Sequence, residues 1–287
     1  MKVWLNGELV DREDAKISVF DHGLLYGDGV FEGVRIYGGR IFQAKAHVDR
    51  LFESASRIRL EIPYGKQQII DAMYAACEAN DVTDGYIRPV VTRGPGTLGL
   101  NPFKCSDPVV FVIADDISLY PREMYENGLA VIIARTIRTP ARAADPAVKS
   151  LNYLNNIYAK IEAIDAGVME AIMLNVDGYV AEATGDNIYI VEDGNVVTPP
   201  PQAGILMGIT RAVVKRLCDG NGVEFIERNL KPEELYDAEE CFLTGTAAEV
   251  IPVTKIDETT IGDGTPGPVT KKLLGAFHEF IRSGEEL

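Results

Sequence analysis

Four dipeptides constrain this chain more than any other feature: Asn6-Gly7, Gly38-Gly39, Asp177-Gly178 and Asp193-Gly194. Each accepts the positive φ angles that a two-residue hairpin turn demands, and each borders β-rich sequence. Val3–Leu5 and Glu8–Val10 flank the first pair, Val34–Tyr37 and Arg40–Phe42 the second. Ala171–Val176 precedes the third, and Asn187–Val191 and Asn195–Thr198 flank the fourth. Antiparallel sheet is therefore expected to dominate. Between the hairpins the period changes. Val48, Leu51, Phe52, Ala55 and Ile58 recur at helical spacing within Ala44–Leu60. Further helices are predicted over Gln67–Asn80, over Leu151–Gly167, from Thr210 to Gly220 or Gly222, and after Pro268. The Leu151–Gly167 helix is expected to bury Leu154, Ile157, Tyr158 and Ile161, and the last one Val269, Leu273, Phe277 and Phe280. Strands and helices do not alternate as βαβ units, so the class read here is α+β and not a Rossmann arrangement.

At 287 residues the chain exceeds the usual single core, which favours two domains. The boundaries expected are 1–117 for a small N-terminal domain, 118–128 for a connector and 129–287 for a larger domain. A formal charge of −15 disfavours nucleic acid and anionic lipid as partners, yet leaves room for a local basic pocket that takes a small anion. The four cysteines have neither zinc nor redox spacing. With three histidines and no HExxH or CxxC, no catalytic metal is expected. No apolar run approaches the ~20 residues of a membrane span, and the N-terminus has a turn where a signal peptide needs an apolar stretch. A soluble, cytoplasmic enzyme is the expectation.

Several residues could carry chemistry. Gly208-Ile209-Thr210-Arg211 stands where a helix begins, and a helix N-terminus offers free amides and a favourable dipole to a phosphate. A threonine there also serves as an ordinary cap. Gly245-Thr246 ends an apolar strand in small residues whose amides could face an anion, or simply makes a turn. Arg50 lies off the apolar stripe of its helix, as either a surface residue or a bidentate phosphate ligand. Lys149, in Asp145–Ile157, and Glu182, in Tyr179–Asn187, each read alone as solvated side chains.

Taken together they match a family. Asp21–Arg35, His47–Arg50, Tyr86–Pro89, Lys149–Tyr153, Glu182 with Thr184, Asn187–Tyr189, Val196–Thr198, Leu206–Arg211, Gly245–Glu249 and Gly267–Thr270 follow one another in a recognisable order. By these motifs, which span nearly the whole chain, it resembles the fold-type IV pyridoxal 5′-phosphate (PLP) enzymes, and within them the branched-chain amino acid aminotransferases. The resemblance implies a two-domain fold like that of D-amino acid aminotransferase, with a small N-terminal α/β domain and a larger C-terminal pseudo-barrel domain. It also implies a homodimer.

The roles implied are specific. Lys149 would form the Schiff base with PLP and move the substrate α-proton, which requires its neutral amine. Glu182 would keep the pyridine nitrogen protonated, Tyr153 would donate to the phenolic oxygen, and Asn187 accompanies Glu182 in the motif. Arg50, Gly208, the amides of Ile209 and Thr210, and Gly245-Thr246 would hold the phosphate. On the substrate side the resemblance implies Tyr26 (reaching across from a partner subunit), Phe31, Gly33, Tyr86 and Arg88, the last for the distal carboxylate of glutamate or 2-oxoglutarate. Thr246, Ala247 and Ala248 would offer donors to the α-carboxylate, and Tyr120 is a further candidate.

Sister activities share the cofactor residues and differ around the substrate. D-amino acid aminotransferases carry Tyr at the place of Phe31, and an Arg and a His where this chain has Leu98 and Leu100. Aminodeoxychorismate lyases lack the Tyr86–Pro89 and Gly245–Glu249 motifs as a set. The activity implied is transfer between L-leucine, L-isoleucine or L-valine and 2-oxoglutarate. Ala183 and Asp186 depart from the usual Glu-Gly-x-Gly-Glu-Asn and leave open D-amino acid or (R)-amine turnover. A PLP-binding module without catalysis is the alternative of another class.

Overall fold

The computed structural model describes residues 1–116 and 120–287. The last residue of the expected small domain, 117, and the start of the expected connector, 118–119, thus lie outside the described residues. The chain groups into two compact units: Met1–Ile117 with Val148–Asn152, and Ser118–Ala147 with Tyr153–Leu287.

In the first unit, Asn6 (φ 48°) and Gly7 (φ 99°) turn β1 (Lys2–Leu5) back into β2 (Glu8–Asp11). There follow a short α1 (His22–Tyr26), β3 (Gly29–Phe31), β4 (Val34–Tyr37), β5 (Arg40–Ile41), α2 (Ala44–Arg57), α3 (Lys66–Glu78), β6 (Gly85–Thr92) and β7 (Val110–Asp115). The strands form one antiparallel sheet, ordered β2-β1-β7-β6-β4-β5, with β3 also paired to β6. Strand alternation divides its two faces. Val34, Ile36 and Ile87 join Val48, Leu51, Ile69 and Met73 of the helices in the core. Arg35, Tyr86 and Arg88 fall between those positions and face the other way. The segment Val148–Asn152 returns to this sheet: Phe31 N donates to Lys149 O at 3.0 Å and Leu151 N to Gly29 O at 2.9 Å.

The second unit holds α4 (Arg122–Asn127), β8 (Leu129–Ile133), α5 (Leu154–Asp165), β9 (Glu170–Leu174), β10 (Val180–Ala183), β11 (Asn187–Glu192) and β12 (Asn195–Thr198). After these come α6 (Ile209–Gly220), β13 (Phe225–Glu227), α7 (Pro232–Tyr236), β14 (Glu240–Gly245), β15 (Glu249–Ile256), β16 (Thr259–Thr260) and α8 (Pro268–Ser283). Its sheet runs β10-β9-β8-β15-β14-β11-β12-β13, with β16 on β15. Asp193 (φ 51°) and Gly194 (φ 73°) make the β11–β12 turn.

Two expectations need correction here. β8–α5–β9 and β12–α6–β13 are parallel pairs with helical crossovers, so βαβ units do occur, and β8 also pairs parallel to β15. A crossover leaves no local turn signal, whereas a hairpin does. In α5 the apolar stripe is on the outside: Leu154, Ile157, Tyr158 and Ile161 are 46–57% exposed. Asn156, Ala159 and Ala163 are the buried ones, and the two alanines pack with Ala134, Ala171 and Met173. Small residues let the helix lie close on the sheet, and periodicity alone cannot say which stripe is covered. In α8, Leu273, Phe277 and Phe280 are buried with Thr270, while Val269 is only half-buried.

Candidate active site

Lys149 is not at a helix start. It lies five residues before α5, in the extended segment beside β3, and its own amide donates to Ser54 Oγ at 3.2 Å. The side chain is half-buried, with Nζ 4.6 Å from the centre of the Phe31 ring. The Arg88 guanidinium lies 4.8 Å from the same ring and 5.3 Å from that of Tyr86, and its Nη2 donates to Tyr86 Oη at 3.2 Å. A lysine, an apolar wall and an arginine are therefore one side chain apart within the first unit. Gly33 makes room for this group, because a Cβ there would sit 1.7 Å from Tyr86 Oη.

Arg50 is neither a free surface residue nor alone. Its Nε and Nη2 donate to the two oxygens of Glu32 at 2.7 and 2.8 Å, and His47 Nδ1 is 2.8 Å from Glu32 Oε2. His47 and Arg50 stand three apart on α2 and so share a face. Burial opposes charge on Glu32, but the Arg50 guanidinium beside it, with the His47 bond, holds its carboxyl far below the usual range. Burial lowers the pKa of His47, and Arg50 and Lys149 push the same way against the pull of Glu32. His47 Nε2 is buried without a hydrogen-bond partner among the described residues.

In the second unit Glu182 is buried on β10. Arg138 Nε donates to its Oε1 at 2.9 Å, while Leu206 N (2.9 Å) and Asn187 Nδ2 (3.2 Å) donate to Oε2. Arg138 is fixed in turn by Asn155 and Asn156 of α5. Asn187 also reaches Leu206 O at 3.0 Å, and a Cβ on Gly208 would lie 2.2 Å from Asn187 Oδ1. Glu182 and the start of α6 are thus joined through Asn187. Gly208 is the residue before α6, whose first amides belong to Ile209 and Thr210. Thr210 Oγ1 is buried with no partner among the described residues. An orphaned hydroxyl at the N-terminus of a twelve-residue helix fits a phosphate, and Glu182 fits a protonated ring nitrogen.

Thr246, Ala247 and Ala248 form the turn between β14 and β15, closed by the pairing of Gly245 with Glu249, and Tyr125 Oη donates to Ala248 O at 3.1 Å. Asp186 leaves no room for a Cβ at Gly245: its Oδ1 would be 1.8 Å away. Tyr120 is buried with its hydroxyl 3.4 Å from Asp186 and 3.5 Å from Glu170. Burial first, then those two carboxylates, push its pKa up. Tyr153 is half-buried just before α5. Tyr26 is exposed on α1 and donates to Leu98 O at 2.5 Å; Leu98 and Leu100 are exposed too.

The expected residues thus fall into two sets. Tyr26, Phe31, Gly33, Arg50, Tyr86, Arg88 and Lys149 belong to the first unit. Tyr153, Glu182, Asn187, Gly208–Thr210 and Gly245–Ala248 belong to the second. Reading residue types missed the roles of Glu32, His47 and Arg138. Glu32 and His47 were inside matched motifs, but Arg138 follows a featureless Thr136-Ile137 and gives no signal of its own.

The profile of amino-transferase class IV matches residues 29–256. A Methanocaldococcus jannaschii protein assigned as a branched-chain-amino-acid aminotransferase is 50% identical, over 97% of this chain and 96% of its own length. A D-alanine aminotransferase of Bacillus licheniformis is 36% identical over 99% and 98%. The crystal structure of the Escherichia coli branched-chain amino acid aminotransferase superposes with a TM-score of 0.96 at 35% identity, covering 99% of this chain and 96% of that one. The branched-chain amino acid aminotransferase of Thermobaculum terrenum, solved in its PLP form, gives 0.88 at 30% identity, covering 99% and 94%.

Proposed function

The chain belongs to the class IV aminotransferases, and we propose that it is a PLP-dependent branched-chain amino acid aminotransferase that exchanges the amino group of L-leucine, L-isoleucine or L-valine with 2-oxoglutarate. The observation that carries this reading is the Phe31 ring, touched by both Lys149 and Arg88. An amine that can move a proton stands beside an apolar surface, with a carboxylate-binding group next to it. A branched aliphatic side chain can lie on Phe31 without desolvating Arg88, and the distal carboxylate of glutamate can pair with Arg88. The apolar Leu98 and Leu100 support an aliphatic substrate over the carboxylate trap of D-amino acid enzymes.

PLP supplies an electron-withdrawing ring that carries the amino group between substrates and accepts electrons from the Cα–H bond. The chain's own residues do the rest. Lys149 binds the cofactor and, as a neutral amine at Nζ, takes the α-proton and returns it on the other side of the exchange. Glu182, oriented by Arg138, Asn187 and the Leu206 amide, would face the ring nitrogen. Tyr153 would donate to the phenolic oxygen. The phosphate is assigned to Arg50, the amides of Ile209 and Thr210 with the Thr210 hydroxyl, and Gly245-Thr246. The turn Thr246–Ala248 is assigned to the α-carboxylate.

A homodimer belongs to this proposal. Leu154, Ile157, Tyr158, Ile161 and Ile164 expose a continuous apolar face on α5, which a second copy would cover. Tyr26, exposed and tied to the loop carrying Leu98, is assigned to the partner subunit's substrate. Among the described residues no helix is long and apolar enough to cross a membrane. The function is tested by incubating the PLP-loaded protein with L-leucine and 2-oxoglutarate and detecting L-glutamate. Product is expected from the wild type and none from Lys149→Ala; absence of product from the wild type with every branched-chain amino acid contradicts the assignment.

A further inference from the structure

Three arginines of the first unit close on a carboxylate: Arg50 on Glu32, Arg57 on Glu53 and Arg93 on Asp28. Among the described residues, Arg35 and Arg88 have no such partner. Both are half-buried, and the Nε of each is buried without a hydrogen bond. The Arg35 guanidinium lies over the face of Tyr37 at 4.8 Å, as Arg88 lies over the faces of Phe31 and Tyr86. Their positions are linked. Arg35 stands directly across from Tyr86 in the β4–β6 register, and Arg88 is two residues on from Tyr86. The two arginines are therefore diagonal neighbours on one face of the sheet, at roughly 7–8 Å by the usual cross-strand spacing. The Tyr86 phenol reaches over Gly33 and accepts from Arg88. Asp115, paired with Tyr86 from β7, accepts from the Asp116 amide and forms no ion pair among the described residues.

A half-buried cation without a counter-charge is costly, and two side by side more so. In a chain with a net charge of −15, carboxylates to neutralise them are abundant. A pair left uncompensated on one face is a prepared anion site, its donors fixed before the anion arrives. We propose that Arg35 is a specificity-determining residue that acts with Arg88 on the distal carboxylate of the five-carbon dicarboxylate substrate. This rests on the aminotransferase reading and extends it. A branched aliphatic side chain has no charge for Arg35 to meet, so Arg35 separates the two substrate classes, while Phe31 serves both.

The test compares Arg35→Gln and Arg35→Lys with the wild type, each loaded with PLP. The measured quantity is the ratio of kcat/KM for L-glutamate to that for L-leucine, together with the Kd of glutarate relative to 4-methylpentanoate by calorimetry. Arg35→Gln is expected to lower the kcat/KM ratio at least tenfold through KM for L-glutamate, and to weaken glutarate relative to 4-methylpentanoate by a similar factor. Arg35→Lys is expected to restore most of both. Equal losses for the two substrates, or none, overturn the proposal. If Arg35→Gln does not fold, Arg35→Lys decides: glutamate preference kept supports the charge role, and preference lost overturns it. A wild type that binds no PLP or leaves L-leucine unchanged sinks the functional reading itself, which is a separate outcome.

Discussion

Arg138 Nε meets Glu182 Oε1 at 2.9 Å with both side chains more than nine-tenths buried. The pair is held from both ends, by Asn155 and Asn156 on one side and by Asn187 and the Leu206 amide on the other. Removing one member leaves a buried charge alone, which costs about 3–5 kcal/mol. Arg138→Met is therefore expected to lower the melting temperature by roughly 6–20 °C for a unit of this size and to weaken PLP binding. Replacing both, Arg138→Met with Glu182→Leu, is expected to regain most of the stability and none of the cofactor affinity. Calorimetry and PLP titration check the two halves separately. A double variant that binds PLP as well as the wild type contradicts the role given to Glu182.

The His47–Glu32–Arg50 cluster predicts a pH dependence. Burial, aided by Arg50 and Lys149, lowers the folded-state pKa of His47 below its ordinary 6.5. The unfolded chain then binds more protons below that value, so stability falls as the pH drops through about 6.5 and is flat above it. Glu32 adds a loss of the same sign below its ordinary 4.5, since Arg50 and His47 hold its carboxyl down against burial. His47→Gln keeps a donor to Glu32 and is expected to flatten the melting temperature between about pH 7 and 5. An unchanged slope in that variant assigns the dependence elsewhere.

How much of this was legible beforehand depends on how local each feature is. Asn6-Gly7 and Asp193-Gly194 encode their turns in two residues, and the structure has them in hairpins. Parallel β8–β9 and β12–β13 pairs depend on crossovers of many residues and left no mark. The stripe on α5 was visible, but the sequence does not say that Ala159 and Ala163, and not Ile157 and Ile161, meet the sheet. Lys149 and Glu182 stood out only through the ordered motifs. Arg138, which orients Glu182 from 44 residues away, has no local signature at all.

Gly33 predicts a steric effect. A Cβ there would fall 1.7 Å from Tyr86 Oη, so Gly33→Ala must displace the phenol and with it the partner of Arg88. Small misplacements beside a reacting substrate cost about 100-fold. Steady-state kinetics with L-leucine are expected to show kcat/KM lowered by roughly that factor, with folding intact by circular dichroism. Wild-type kinetics in Gly33→Ala would remove Tyr86 from the substrate site.

The exposed face of α5 predicts the assembly. Ile157→Glu with Ile161→Glu places two charges where a second copy is proposed to pack. Light scattering after gel filtration is expected to give a dimer for the wild type and a monomer for the variant. A wild-type monomer contradicts the proposed dimer, and a variant dimer of unchanged stability places the interface elsewhere.

The central claim is that Lys149 binds PLP and passes the amino group of a branched-chain substrate. One absorbance experiment reads it most directly. PLP is added to the purified protein, the band of the lysine-bound cofactor is recorded, and L-leucine and D-alanine are added to separate samples. The account predicts rapid loss of the band with L-leucine, its return with 2-oxoglutarate, and no such band in Lys149→Ala. Loss with D-alanine alone would contradict the substrate assignment, and a wild type that forms no band would contradict the PLP reading altogether.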